Sequence, residues 1–133
     1  MGDVARNLTR YTLIMPNKWG DDILISNLAD EPELSEEFAA IFAVLNDQEQ
    51  GRANHVVLNF SGVTYLNSSH IAQMLRMRKR LMDLERALVL CAMNDNVWSV
   101  LSLSGLDKVF RYAPDPMTAL AGLQLESTSD EGA

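Results

Sequence analysis

Little in this chain can hold a metal or a covalent framework. It has one cysteine, which excludes an intramolecular disulfide, and its two histidines are scattered, so no zinc cluster can be read. Bases are scarce too: 11 Lys and Arg against 18 Asp and Glu leave a net charge of −7. A uniformly acidic surface repels phosphate backbones, which speaks against direct nucleic-acid binding. No apolar run approaches the ~20 residues that span a bilayer. Met1 to Arg10, read as an N-terminal extension, lacks a secretory apolar core. These absences point to a cytoplasmic protein that does not enter a membrane. Catalytic signatures are missing as well. There is no Gly-x-x-x-x-Gly-Lys phosphate loop, no Gly-x-Ser-x-Gly elbow, and no convergent nucleophile–base or metal set. The expectation is a protein that is not an enzyme and needs no cofactor.

What is present suits one ordinary domain. A chain of 133 residues buries enough of its surface to fold without staples. Residues 11–123 are read as that domain, and Gln124 to Ala133, almost without apolar side chains, as a disordered acidic tail. Cys91 lies in the apolar run Leu88–Ala92 and is read as a buried, inert thiol.

The pattern alternates strands and helices. Tyr11–Met15 and Asp22–Leu28 are β-rich runs around the turn-like Pro16–Asp21, which suggests a hairpin. Asp21-Asp22 is read as a solvated turn, and Asp30-Glu31 as the start of a helix. In that helix Leu34, Phe38, Ile41, Phe42 and Leu45 share one face, Pro32 sits in the first turn, and Gly51 is a plausible stop. His55–Phe60 is a strand too apolar to face water on one whole side. A second helix runs from about Ser68 to Leu84. Ile71, Met74, Leu75, Leu81 and Met82 are its expected buried stripe, and Arg76, Arg78, Lys79 and Arg80 much of its wet face. Ala87–Ala92 is a further strand. Asn94 or Asp95 caps a third helix that ends near Gly105, Val109–Tyr112 is a short strand, and Asp115-Pro116 starts a last helix through Leu123. Trp19 and Trp98 are assigned to turn and core packing. The order means an α/β fold with substantial parallel pairing, about five strands and about four helices.

Asn67-Ser68-Ser69-His70 stands where strand, loop and second helix join. One reading is capping of the helix by Asn and Ser side chains. Another uses the same physics: a helix N-terminus accommodates anions, so a serine there can carry a phosphate, and the added charge of roughly −2 changes what the surface binds. The charge layout is uneven. Five of the eleven bases lie between Arg76 and Arg86, while ten of the eighteen acids precede residue 50. Arg76, Lys79 and Arg80 form either a solvated face or a docking surface for an acidic partner.

His55–Phe60 followed by Ser61-Gly62-Val63-Thr64-Tyr65-Leu66-Asn67-Ser68-Ser69 resembles the strand-to-phosphosite segment of STAS domains, the sulphate-transporter and anti-sigma-factor-antagonist family. Leu88–Cys91 looks like that family's next strand, and Gly105-Leu106-Asp107-Lys108-Val109-Phe110 is similar to its Gly-Leu-x-x-Val-Phe element. The resemblance implies a mixed sheet with helices and a switch at the start of the second helix. It implies that Ser68 is the phosphoacceptor and that Asn67, Ser69 and His70 belong to the partner-binding switch loop. The implied partners are an anti-sigma factor that is also a serine kinase, and a phosphatase that resets the switch; self-association is a further expectation. Asn67 replaces the family's usual Asp, and His70 its usual Gly. A ring at the second position is expected to stand beside the phosphosite, which favours an alternative: a constitutive scaffold that is never phosphorylated.

Overall fold

The computed structural model describes residues 23–49 and 53–132, with side chains through Leu125. Tyr11–Met15, Trp19, Asp21-Asp22 and Gly51 lie outside the described residues. The elements follow in the order β1 (Ile23–Ala29), α1 (Glu33–Asn46), β2 (His55–Gly62), α2 (Ser68–Asp83), β3 (Leu88–Cys91), α3 (Asp95–Leu103), a 3₁₀ turn (Leu106–Lys108), β4 (Arg111–Ala113) and α4 (Pro116–Gly132).

The described strands form a four-stranded sheet in the order β1-β2-β3-β4, with every neighbouring pair parallel. The expected fifth strand and its antiparallel hairpin fall outside these residues. Connections between parallel neighbours are nearly always right-handed, and three such steps in one direction put three helices on one face. The core is arranged that way. Leu24, Leu28, Val56, Leu58, Phe60, Leu88 and Leu90 pack against Leu34, Phe38 and Ile41 of α1, Met74, Met77 and Leu81 of α2, and Val97 and Leu101 of α3. The alternate strand residues Ile23, Ile25, Val57, Val89 and Cys91 face the other way, against Ala119, Leu120 and Leu123 of α4. Both faces are covered, which is why β2 and β3 read as continuous apolar runs. Each large side chain buried contributes roughly 1.5–3 kcal/mol of hydrophobic stabilisation.

Five local readings differ from the structure. On α2 the buried stripe is His70, Met74, Met77 and Leu81, at offsets 0, 4, 7 and 11. Leu75 and Met82 sit one position, about 100°, away from it and are exposed. Arg78 and Arg80 are not free on a wet face. The Arg78 Nε–H donates to the Val109 carbonyl at 3.1 Å, and one Arg80 terminal nitrogen reaches the Leu45 and Gln48 carbonyls, each at 3.1 Å. Arg80 thus satisfies carbonyls left over at the C-terminus of α1, a structural use of a side chain read as either solvated or docking a partner. The last strand begins at Arg111 because the 3₁₀ turn after Gly105 (φ 76°) takes up Leu106–Lys108. The last helix continues past Leu123 to Gly132. No proline or glycine between Leu123 and Gly132 interrupts a helix already started. Trp98 is half-exposed and lies edge-on to Tyr112, 4.8 Å between ring centres, rather than in the core.

Candidate functional site

The site forms beyond the carboxyl ends of β1, β2 and β3, where parallel α/β sheets usually place their functional loops. Its centre is the loop from Val63 to Asn67 and the first turn of α2. β2 reaches it through Gly62. A Cβ at this position would stand 2.7 Å from the Leu28 carbonyl oxygen of the paired strand, so only glycine lets the two backbones approach. The register shifts here, with Ala29 opposite Gly62.

Asn67 is the N-cap of α2, with extended backbone (φ −111°, ψ 177°). Its Oδ1 accepts the His70 N–H at 2.9 Å, and His70 Nδ1 accepts the Asn67 N–H at 3.1 Å. This reciprocal pair is a capping box in which histidine takes the place usually held by Glu or Gln. The Asn67 amide donates to Nδ1, so the ring hydrogen belongs on Nε2. Nε2 lies 2.7 Å from Glu31 Oε2 and donates to it. The ring is 1% exposed, set edge-on to Phe38 and tilted against Tyr65. It does not project beside Ser68 toward a partner, as its replacement of glycine suggested. Burial turns it inward, where both nitrogens have partners.

Glu31 and Asp30 do more than start a helix. Glu31 also accepts the Ser35 N–H at 2.9 Å and the Ser35 hydroxyl. The Ser35 hydroxyl, then His70 and the Ser35 amide, hold the Glu31 carboxyl at about 2 against an ordinary 4.5. Asp30 accepts the Thr64 N–H at 2.8 Å and its hydroxyl at 2.7 Å, which lowers its pKa. From the third side, Asn94 Nδ2 donates to the Val63 carbonyl at 3.0 Å while its Oδ1 caps α3 at the Val97 N–H, 2.9 Å away. The loop is therefore pinned by residues following β1 and β3. The sequence offered Asn94 or Asp95 as a cap, but the second bond of Asn94 and the roles of Asp30, Glu31 and Thr64 join positions more than 30 residues apart and leave no local signal.

A depressed carboxylate makes an acid-sensitive contribution. Glu31 favours the folded state fully above about pH 4.5, and loses that effect as the pH falls toward about 2. The stability gap between the wild type and Glu31→Gln, measured by urea unfolding, is expected to be widest near neutrality and to shrink at pH 3. A gap that stays constant over that range contradicts the assignment.

Ser68 occupies the first helical position and is exposed. Among the described residues, no side chain holds its hydroxyl. Ser69 differs: the Gln73 Nε2 amide leans on its carbonyl and hydroxyl at 3.4 and 3.5 Å. Beyond Ser68, the outer face of α2 carries Ala72, Leu75, Lys79 and Met82 at helical spacing, with Tyr65 exposed in the loop before it. Arg76 is exposed nearby, and Lys79 lies 3.8 Å from Asp83 in an open i,i+4 pair. Of the three bases read as a solvated or docking face, Arg76 and Lys79 share this outer side, while Arg80 is turned toward α1. Cys91 is buried, and that burial, with Asp115 second, pushes its thiol up to about 11, consistent with an inert group. No group of three or more His, Cys, Asp or Glu among the described residues could hold a metal, and no described helix is long and apolar enough to cross a membrane.

The STAS domain family matches residues 29–119, more than half of the chain. The chain belongs to the STAS domain family. Solved structures agree on the fold. A Thermotoga maritima protein, a candidate anti-sigma factor antagonist, is 21% identical with a TM-score of 0.67, over 84% of this chain and 95% of that one. An anti-sigma-factor antagonist (STAS) domain protein from Planctomyces limnophilus is 19% identical with a TM-score of 0.65, over 77% and 91%. A serine-to-glutamate variant of Moorella thermoacetica RsbS is 14% identical with a TM-score of 0.64, over 80% and 94%. In this STAS domain the family's strand-to-helix segment is the loop that Asp30, Glu31 and Asn94 hold.

Proposed function

We propose that this STAS domain is a non-enzymatic anti-sigma factor antagonist that binds an anti-sigma factor serine kinase and is switched by phosphorylation at Ser68. The observation that carries the reading is the contrast between two adjacent serines. Ser68 is an exposed hydroxyl at a helix N-terminus, while Ser69 next to it is engaged by Gln73. The positive end of the helix dipole offsets a phosphate at Ser68. Asn67, neutral where the family has Asp, adds no repulsion. While Ser68 is unphosphorylated, the exposed apolar residues Tyr65, Leu75 and Met82 give the partner something to cover, with Arg76 and Lys79 suited to acids on it. A phosphatase resets the switch. The RsbS variant described above has this fold with glutamate in place of one of its serines, so in that protein a carboxylate at the altered serine is compatible with the architecture.

The constitutive-scaffold alternative drew on a histidine ring at the partner surface. His70 is buried instead, and that support falls away.

The test is phosphate transfer. Incubated with its cognate kinase and ATP, the wild type is expected to gain one phosphate by intact mass, and Ser68→Ala none, while Ser69→Ala still accepts it. Uptake that survives Ser68→Ala overturns the site. A wild type that takes up none overturns the switch.

A further inference from the structure

Ser35, Glu31, His70 and Asn67 form one continuous hydrogen-bonded chain from the first turn of α1 to the N-cap that precedes Ser68. Each link is directional. The Ser35 amide and hydroxyl donate to Glu31, His70 Nε2–H donates to Glu31, and the Asn67 amide donates to His70 Nδ1. Histidine at this helix position is more than a substitute for the usual Glu or Gln. Glu closes the capping box with acceptors alone, and Gln carries its acceptor and donor on one flexible terminal amide. The imidazole has a second nitrogen on the far side of the ring, and Glu31, from a different element, is placed to receive it. A neutral imidazole accepts at Nδ1 only while its hydrogen is on Nε2, so the Glu31 carboxylate selects the tautomer that the capping box requires.

We infer that Glu31 is a positioning residue for the Ser68 site, acting through the His70 tautomer to hold the first turn of α2 and thereby coupling the start of α1 to the presentation of the phosphoacceptor. The inference rests on the phosphorylation reading for its functional consequence, but the coupling itself is a property of the fold. A partner that contacts the first turn of α1 changes Ser68 without touching it, because Ser35 and His70 share one carboxylate. The family's usual glycine could not form this connection, so the departure at His70 adds a coupling that glycine lacks. Tyr65 and Phe38 enclose the ring, and Asp30 and Glu31 are the charged groups placed against it.

The test uses the full chain and three variants: Glu31→Ala, Glu31→Gln and His70→Glu. Amide hydrogen exchange requires no kinase. Glu31→Ala is expected to speed exchange at the Asn67 and His70 amides by about tenfold relative to β2 and β3, the size of one charge-assisted bond. Glu31→Gln, whose carbonyl still accepts from Nε2, is expected to restore most of that protection. His70→Glu keeps an acceptor for the Asn67 amide but has no donor for Glu31, so its exchange should become insensitive to a second Glu31→Ala change. The nitrogen chemical shifts of His70 should show Nδ1 unprotonated in the wild type and a mixture of tautomers in Glu31→Ala. Exchange that rises uniformly across the sheet, or a His70 tautomer unchanged by Glu31→Ala, overturns the positioning role. Kinase assays separate the two ideas. A wild type that accepts no phosphate while exchange responds as described overturns the switch and leaves the coupling. Ser68 phosphorylated at the wild-type rate in Glu31→Ala, with local exchange unchanged, overturns the coupling and leaves the switch.

Discussion

Ser68→Asp is expected to weaken binding to the kinase partner by about 30-fold or more, with little change in fold stability. The two halves of this expectation have different causes. Within the domain, position 68 is exposed in the first turn of α2, where a carboxylate meets the positive end of the helix dipole. A charge there contributes a few tenths of a kcal/mol to about 1 kcal/mol in favour of the helix. At an interface the balance reverses. The surface beyond Ser68 is formed largely by Tyr65, Ala72, Leu75 and Met82, so a partner that covers it removes water from residue 68. An unpaired charge buried in a contact costs roughly 2–5 kcal/mol, which is about 30-fold or more in affinity. Calorimetric titration of wild type and Ser68→Asp against the kinase, paired with urea unfolding of each, separates the two effects. Equal affinities refute the electrostatic mechanism. Ser69→Asp is the internal control, since Gln73 already holds that side chain.

Gly62→Val is expected to lower stability by about 2–3 kcal/mol, the largest effect among substitutions near the site that remove no core side chain. The atom in the way is the Leu28 carbonyl oxygen, 2.7 Å from where a Cβ would stand. It belongs to backbone in a paired strand, so no rotamer change relieves the contact. The β1–β2 register would have to open where it already shifts, between Asn27 and Ala29 opposite Gly62. Asp30 lies immediately beyond and holds Thr64, so the strain is expected to reach the Ser68 loop. Thermal unfolding and the exchange rate of the Thr64 amide give the two readouts. A melting temperature within a degree or so of wild type contradicts the close approach.

Much of this architecture is legible along the chain because it is local. The apolar face of α1, the continuous runs of β2 and β3, a cap at Asn94 or Asp95 and Asp115 before Pro116 follow from helical and strand periods and from side chains that bond their own neighbours. The Asp115 carboxylate does accept the Thr118 amide, at 2.7 Å. Asn67-Ser68-Ser69-His70 was equally visible as a helix start. On α2 the expected stripe held at Met74 and Leu81 and missed at Leu75 and Met82, each a single position away. Ile71, Leu75 and Met82 are as apolar as Met74, Met77 and Leu81, and composition alone does not choose between two stripes 100° apart.

The sequence by itself determined an acidic α/β domain, the alternation of its elements, and the place of Ser68 at the N-terminus of a helix. These rest on interactions between residues a few positions apart, whose energetics the local pattern carries. The tertiary structure decided the rest. It turned His70 inward onto Glu31, 39 residues away, gave Arg80 to the end of α1, and left Leu75 and Met82 on the surface. A histidine, an arginine and a methionine can each be exposed or buried. Which one occurs depends on what the parallel sheet brings alongside, and chain neighbours do not encode that.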